Sequence, residues 1–196
     1  MTWEPLTKET KGYIKKTGLI NWTSTSTRPD IAYTTSRLYE ANSGPSQEHL
    51  DLMKHLFRYL RGTWNYALCF GGGDLTADDL KMMTFADASH ADHQPSRHST
   101  GGHIIFVAGA PVFWKTKKQT FVALSSTEAE FANLTPAGQS ALWVAEILNE
   151  CGYQQQIPVI IHTNSMNVYI TILNPLNTAR TRYIDIQYKW IIEQAA

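Results

Sequence analysis

The second half of this sequence changes its period at Ser125, and that change limits what the chain can fold into. Before it, residues 82–87, 103–107, 112–114 and 121–124 are short apolar runs rich in β-branched or aromatic residues. Gly-Gly, Gly-Ala-Pro and Lys-rich turns separate them, which predicts an antiparallel meander. After it, residues 126–149 place Phe131, Leu134, Ala141, Val144, Ala145 and Leu148 near one face of a long helix. Pro136 lies inside that helix and is expected to kink or interrupt its hydrogen-bond ladder. A strand at 158–163, a short helix at 166–173 and a helix from 184 onward complete the pattern. Strands first, then alternating helix and strand, predict an α/β fold: a mixed five-stranded sheet flanked by helices.

Residues 1–65 have another texture. Pro29-Asp30-Ile31-Ala32-Tyr33 opens one helix, and Ser46-x-x-His49 caps a second that ends at Arg61-Gly62. Leu50, Met53, Leu56, Phe57 and Leu60 make one face of the second helix apolar. Gly71-Gly72-Gly73-Asp74 reads as a turn or short linker. The expected organisation is an N-terminal helical segment, 1–65, followed by the α/β domain, 66–196.

Charge excludes a global polyanion-attracting field, because 17 Lys and Arg balance 17 Asp and Glu. Any nucleic-acid contact must therefore come from local patches. The opening Met-Thr-Trp-Glu-Pro has no basic-then-apolar leader, and the apolar stretch 103–114 is too short to span a bilayer, so a soluble intracellular protein with no membrane partner is expected. Cys69 and Cys151, without metal-ligand spacing, are expected to be reduced and packed.

Acidic and amide side chains fall where strands end and helices begin. Asp87 closes the run Thr84-Phe85-Ala86-Asp87. Glu128 lies in the first turn after Ser125, Asn164 follows Ile160-Ile161-His162-Thr163, and Asp185 opens the final helix. Such convergence suits divalent-metal chemistry. Ser125-x-x-Glu128 also matches a capping box, in which Glu128 reaches back to a backbone amide. Glu130 is about 200° around the helix from Glu128, so the two cannot face one site. It is expected to be solvated or to serve the helix dipole.

Six ordered motifs cover nearly the whole chain: Thr27-Arg28-Pro29-Asp30-Ile31-Ala32-Tyr33, Arg58 to Thr63, Asp87 with Arg97 to Gly102, Trp114 to Gln119, Ala123 to Glu130, and Arg180 to Ile186. Together they resemble the Pol polyprotein of copia-type retrotransposons, from the connection after the reverse transcriptase into the ribonuclease H domain. The resemblance implies a ribonuclease H-like fold that hydrolyses the RNA strand of an RNA/DNA hybrid with two Mg²⁺ or Mn²⁺ ions. It implies a reverse transcriptase domain upstream as partner. Asp87, Glu128, Asn164 and Asp185 match the four catalytic positions, with Asp87, Glu128 and Asp185 as metal ligands.

Asn164 offers one neutral oxygen where the family has a carboxylate, so metal occupancy and turnover should be weakened. Imidazole is a poorer Mg²⁺ ligand than oxygen, and His162 is not expected to compensate. Tyr183 replaces the family's usual His, removing a titratable group. Arg97, Ser99, Thr100, Lys115, Lys117, Lys118 and Tyr183 are the candidate contacts to an RNA/DNA hybrid or other double-stranded nucleic acid. Three function classes follow: a hybrid endoribonuclease, a non-cutting hybrid binder, and a polyprotein remnant.

Overall fold

The computed structural model describes residues 8–71, 81–94, 96–155 and 159–173. These fall into two compact units that divide between Leu68 and Cys69. Asp185, Tyr183 and the expected final helix lie outside the described residues.

The first unit is helical: α1 (Lys8–Ser26), α2 (Ala32–Glu40) and α3 (Gln47–Gly62), with 3-10 turns at Pro29–Ile31 and Ala41–Ser43. Tyr13 and Ile20 of α1, Ile31, Leu38 of α2, and Met53 and Leu56 of α3 form its core. The Tyr13 hydroxyl is buried with its ring and donates to the Leu38 carbonyl at 2.8 Å, which offsets the cost of its desolvation. Ser46 and His49 make the expected cap, His49 Nδ1 accepting from the Ser46 amide at 3.2 Å. Of the apolar face expected on α3, Met53 and Leu56 are buried, whereas Leu50 and Phe57 are exposed.

Arg28 ties this unit together. Its guanidinium donates to Asp30 through Nε at 3.0 Å and Nη2 at 2.8 Å, and to the carbonyl and hydroxyl of Thr63 at 3.1 and 2.6 Å. The Tyr59 and Tyr66 rings lie 5.6 and 5.7 Å from its central carbon. One side chain therefore joins the turn before α2 to the end of α3.

The second unit is α/β. Its sheet runs β3-β2-β1-β4, where β1 is Met82–Ser89, β2 Thr100–Val107, β3 Ala110–Lys118 and β4 Ile161–His162. β1, β2 and β3 are antiparallel, and β4 joins β1 in parallel, so the sheet is mixed. Ala108 and Gly109, with φ of 51° and 75°, make the two-residue turn between β2 and β3. The helices are α4 (Ser126–Glu150) and α5 (Met166–Leu173). Among the described residues there are four strands, not five. Residues 121–124 form no strand; instead they lead into the cap of α4.

α4 runs unbroken through Pro136, contrary to expectation. Proline removes one backbone donor, but Ala137, Ala141 and Val144 beyond it are buried, and that packing carries the helix past the missing bond. Phe131, Leu134, Ala137, Ala86 and Val168 form one core cluster, and Ile105, Ala141 and Val144 a second. No helix of the described residues is long and apolar enough to cross a membrane. Cys69 and Cys151 are unbonded but exposed, not packed.

Candidate active site

β1 and α4 carry the acids. Asp87 is the sixth residue of β1 and is exposed near the strand end. Ser125 caps α4, its hydroxyl accepting from the Glu128 amide at 3.2 Å, while the Glu128 carboxylate accepts from the Leu124 amide at 2.6 Å. The Ser125 half of a capping box is thus present, while Glu128 reaches one residue past the N-cap to the Leu124 amide and is held in the turn that starts α4.

The acid brought against Asp87 is Glu130. It is buried at 8% exposure, and its carboxyl is pushed up to about 7, first by burial and then by the charge of Asp87. The amide of Ala88 partly offsets this by donating to it. Glu130 is therefore not left to solvent as expected, and Glu128, expected as a metal ligand, is bonded in the turn that starts α4. Glu130, Asn133, Leu134, Ala137, Ala141 and Val144 follow one buried stripe at i, i+3, i+4, i+7, i+11 and i+14. One turn back from Leu134 is Glu130 but one turn back from Phe131 is Glu128, so the periodicity alone leaves both acids open.

Asn133 fixes the relation between helix and sheet. Its Nδ2 donates to the carbonyls of Asp87 at 2.9 Å and Gly102 at 2.8 Å, spanning β1 and β2. Gly101 makes room for that approach, because a Cβ there would lie 2.8 Å from Asn133 Cγ. The loop after β1 is pinned as well: His90 Nε2 lies 3.0 Å from the Ala123 carbonyl, next to the start of α4.

Asn164 is exposed on the bend after β4. The register pairs Phe85 with His162, so Asp87 and Asn164 each stand two residues past that pair, at the same end of neighbouring parallel strands. The His162 ring stacks on Phe85 with centroids 4.9 Å apart. Among the described residues no group of three or more His, Cys, Asp or Glu side chains forms a metal-binding cluster.

The candidate nucleic-acid contacts separate. Ser99 is fully buried and its hydroxyl accepts from the Ala91 amide at 3.0 Å; Thr100, 5% exposed, donates to Asp92 at 3.0 Å. Both serve the loop and present nothing to a ligand, which corrects their assignment. Arg97 is exposed, at φ 56°. Lys115 and Lys117 share one face of β3, and Lys118 stands on the other.

His103 was not singled out in the sequence. It is buried on β2, stacked on Phe113 at 5.8 Å, with Nε2 3.0 Å from the Ser140 hydroxyl. Ser140 donates onward to the Pro136 carbonyl at 2.9 Å, so it accepts from His103 Nε2–H. Burial, helped by the charge of Lys115, lowers the imidazole to about 4 and keeps it neutral.

No family model matches the chain. It is 33% identical over 195 residues to the retrovirus-related Pol polyprotein from transposon TNT 1-94 of Nicotiana tabacum, covering 96% of this chain and 14% of that one. It is 37% identical over 132 residues to the secreted RxLR effector protein 161 of Plasmopara viticola, covering 67% of this chain and 90% of that one. A crystal structure of LC11-RNase H1 in complex with an RNA/DNA hybrid aligns over 58% of this chain and 75% of that one. That alignment has a TM-score of 0.39 at 11% identity, a level that does not define a shared fold. The chain spans only about a seventh of the tobacco polyprotein's length. With the six motifs in order and this similarity along nearly its whole length, the chain belongs to the copia-type family of retrotransposon Pol polyproteins.

Proposed function

We propose that residues 66–196 are a ribonuclease H-type domain that hydrolyses the RNA strand of RNA/DNA hybrids with Mg²⁺ or Mn²⁺, at a rate lowered by Asn164. The observation that carries this reading is the pairing of Asp87 with buried Glu130. A buried carboxyl held against an exposed one repels it when both are ionised, and a divalent cation relieves that repulsion. The donor set fits such an ion: two carboxylates suit a hard cation that keeps several of its waters. When bound, the cation supplies positive charge at the scissile phosphate.

Asp87 and Glu130 would hold the cation, and Glu130 would lose its proton as they do so, which makes binding tighten as pH rises. Asn164 stands at the same end of the sheet but brings a neutral amide oxygen, so one unit of negative charge is missing there. Asp185 remains the proposed fourth ligand, and Tyr183 a proposed contact to the hybrid. A reverse transcriptase domain upstream is the proposed polyprotein partner, and an intracellular setting suits the unbonded, exposed Cys69 and Cys151.

Cleavage of a labelled RNA/DNA hybrid in Mn²⁺ tests this. Asn164→Asp should raise the rate about tenfold or more, equivalent to about 1.4 kcal/mol of barrier, and Asp87→Asn should abolish cleavage. Equal rates for the natural chain and Asn164→Asp would refute the charge argument.

A further inference from the structure

β3 is the edge strand of the described sheet, and α4 packs over β1 and β2. Phe113 on the helix-facing strip of β3 packs against Trp143 of α4, and beyond it the strip is open. Lys115 and Lys117 lie on this strip, paired with His103 and Gly101 of β2. Across from them α4 presents Asn133, Pro136 and Gln139, and the two sides enclose a groove of about 390 Å³. Lys118 and Gln119 line one end.

The chemistry of the wall is one-sided. Three lysines line the groove, Lys115 and Lys117 from the same face of β3, and no acidic residue does, while His103 is neutral. Among the amides in the wall, Asn133 gives both hydrogens to the Asp87 and Gly102 carbonyls and Gln119 Nε2 donates to the Ala129 carbonyl, so the exposed Gln139 is the one left to meet a ligand. Lys115 and Lys117 are two residues apart on an extended strand, about 7 Å. That spacing suits a ligand whose negative charge repeats along its length better than one compact anion.

We propose that this groove holds the phosphodiester backbone of a nucleic-acid strand, with Lys115 and Lys117 meeting separate phosphates. The proposal rests on the nucleic-acid reading of this unit given above and adds a place where the substrate is gripped away from the acids. Asn133 stands in the groove wall and also donates to the carbonyl of Asp87, so groove and acid pair are built on the same turns of α4. A strand lying in the groove is thereby held at a fixed offset from the acid pair.

The test is fluorescence anisotropy of a labelled RNA/DNA hybrid over a salt series, using the full chain, Lys115→Gln/Lys117→Gln, and Lys15→Gln/Lys16→Gln as a control with the same change in charge. Lys15 and Lys16 are exposed on α1. The groove variant should bind at least about fivefold more weakly, with a salt slope smaller by about two, while the control stays near the natural chain. Lys115→Arg/Lys117→Arg should retain binding, which separates lost charge from lost folding. Equal weakening in groove variant and control, or no binding by the natural chain, overturns the proposal. Cleavage measured on the same proteins keeps the two readings apart. Lost binding in the groove variant without cleavage by the natural chain supports the groove and counts against the nuclease. Cleavage with unchanged binding in the groove variant does the reverse.

Discussion

The side-chain amide of Asn133 donates to the main-chain carbonyl of Asp87 at 2.9 Å, one helical turn beyond Glu130. A second bond from the same nitrogen reaches Gly102 at 2.8 Å. The helix that carries Glu130 is thereby fastened to the strand that carries Asp87. Removing the amide leaves two carbonyls without this donor and frees the acids to drift apart.

Asn133→Ala should therefore destabilise the protein by about 2 kcal/mol, since each buried group left unsatisfied costs about 1–3 kcal/mol. Denaturant unfolding measures this. Hybrid cleavage should fall more steeply than the folded fraction does, because positioning is lost along with stability.

The acid pair and the buried histidine give opposite pH trends. Glu130 is raised from 4.5 to about 7, so the folded state holds a proton that the unfolded state releases across that window. Its stabilising effect is complete below about 4.5 and is lost as pH rises through 7. His103 is lowered from 6.5 to about 4, so its contribution is complete above 6.5 and is lost as pH falls toward 4. In metal-free thermal melts, Glu130→Gln should raise Tm at pH 8 by roughly 2–4 °C, with the gain shrinking toward pH 4.5. His103→Asn should flatten the acid limb. Adding Mn²⁺ at pH 8 should stabilise the natural chain and not Glu130→Gln.

In the helical unit, Arg28→Lys should cost about 2 kcal/mol. An ammonium cannot replace a fork that contacts Asp30 through two nitrogens and Thr63 at both carbonyl and hydroxyl. Circular dichroism melts would show the loss. A stability equal to that of the natural chain would mean that the guanidinium network is incidental.

Much of this architecture is written in local pattern. Ser125 announces the start of α4, Ser46 and His49 the start of α3, and the runs around Phe85, Ile105 and Phe113 the three antiparallel strands. Tertiary context decided the rest. The apolar run at 121–124 has strand composition but no strand geometry, because it must turn the chain from β3 to the cap of α4. Pro136 does not break its helix, since burial on the sheet outweighs one missing hydrogen bond.

The acid pair was half legible. Asp87 ends its strand as expected, but Glu128 satisfies the cap through Leu124, and Glu130 falls on the buried stripe facing β1. A capping box and a catalytic acid compete for the same helix turn, and only the direction of the buried face tells them apart. Ser99 and Thr100 misled for a related reason, because their hydroxyls serve the loop between β1 and β2.

The most direct test compares Mn²⁺-dependent cleavage of an RNA/DNA hybrid by the natural chain, Glu130→Gln and Glu128→Gln. The account predicts that Glu130→Gln has no measurable activity, while Glu128→Gln keeps the natural rate within about threefold once corrected for the roughly 1 kcal/mol expected from a weakened cap. Activity retained in Glu130→Gln and abolished in Glu128→Gln would contradict it.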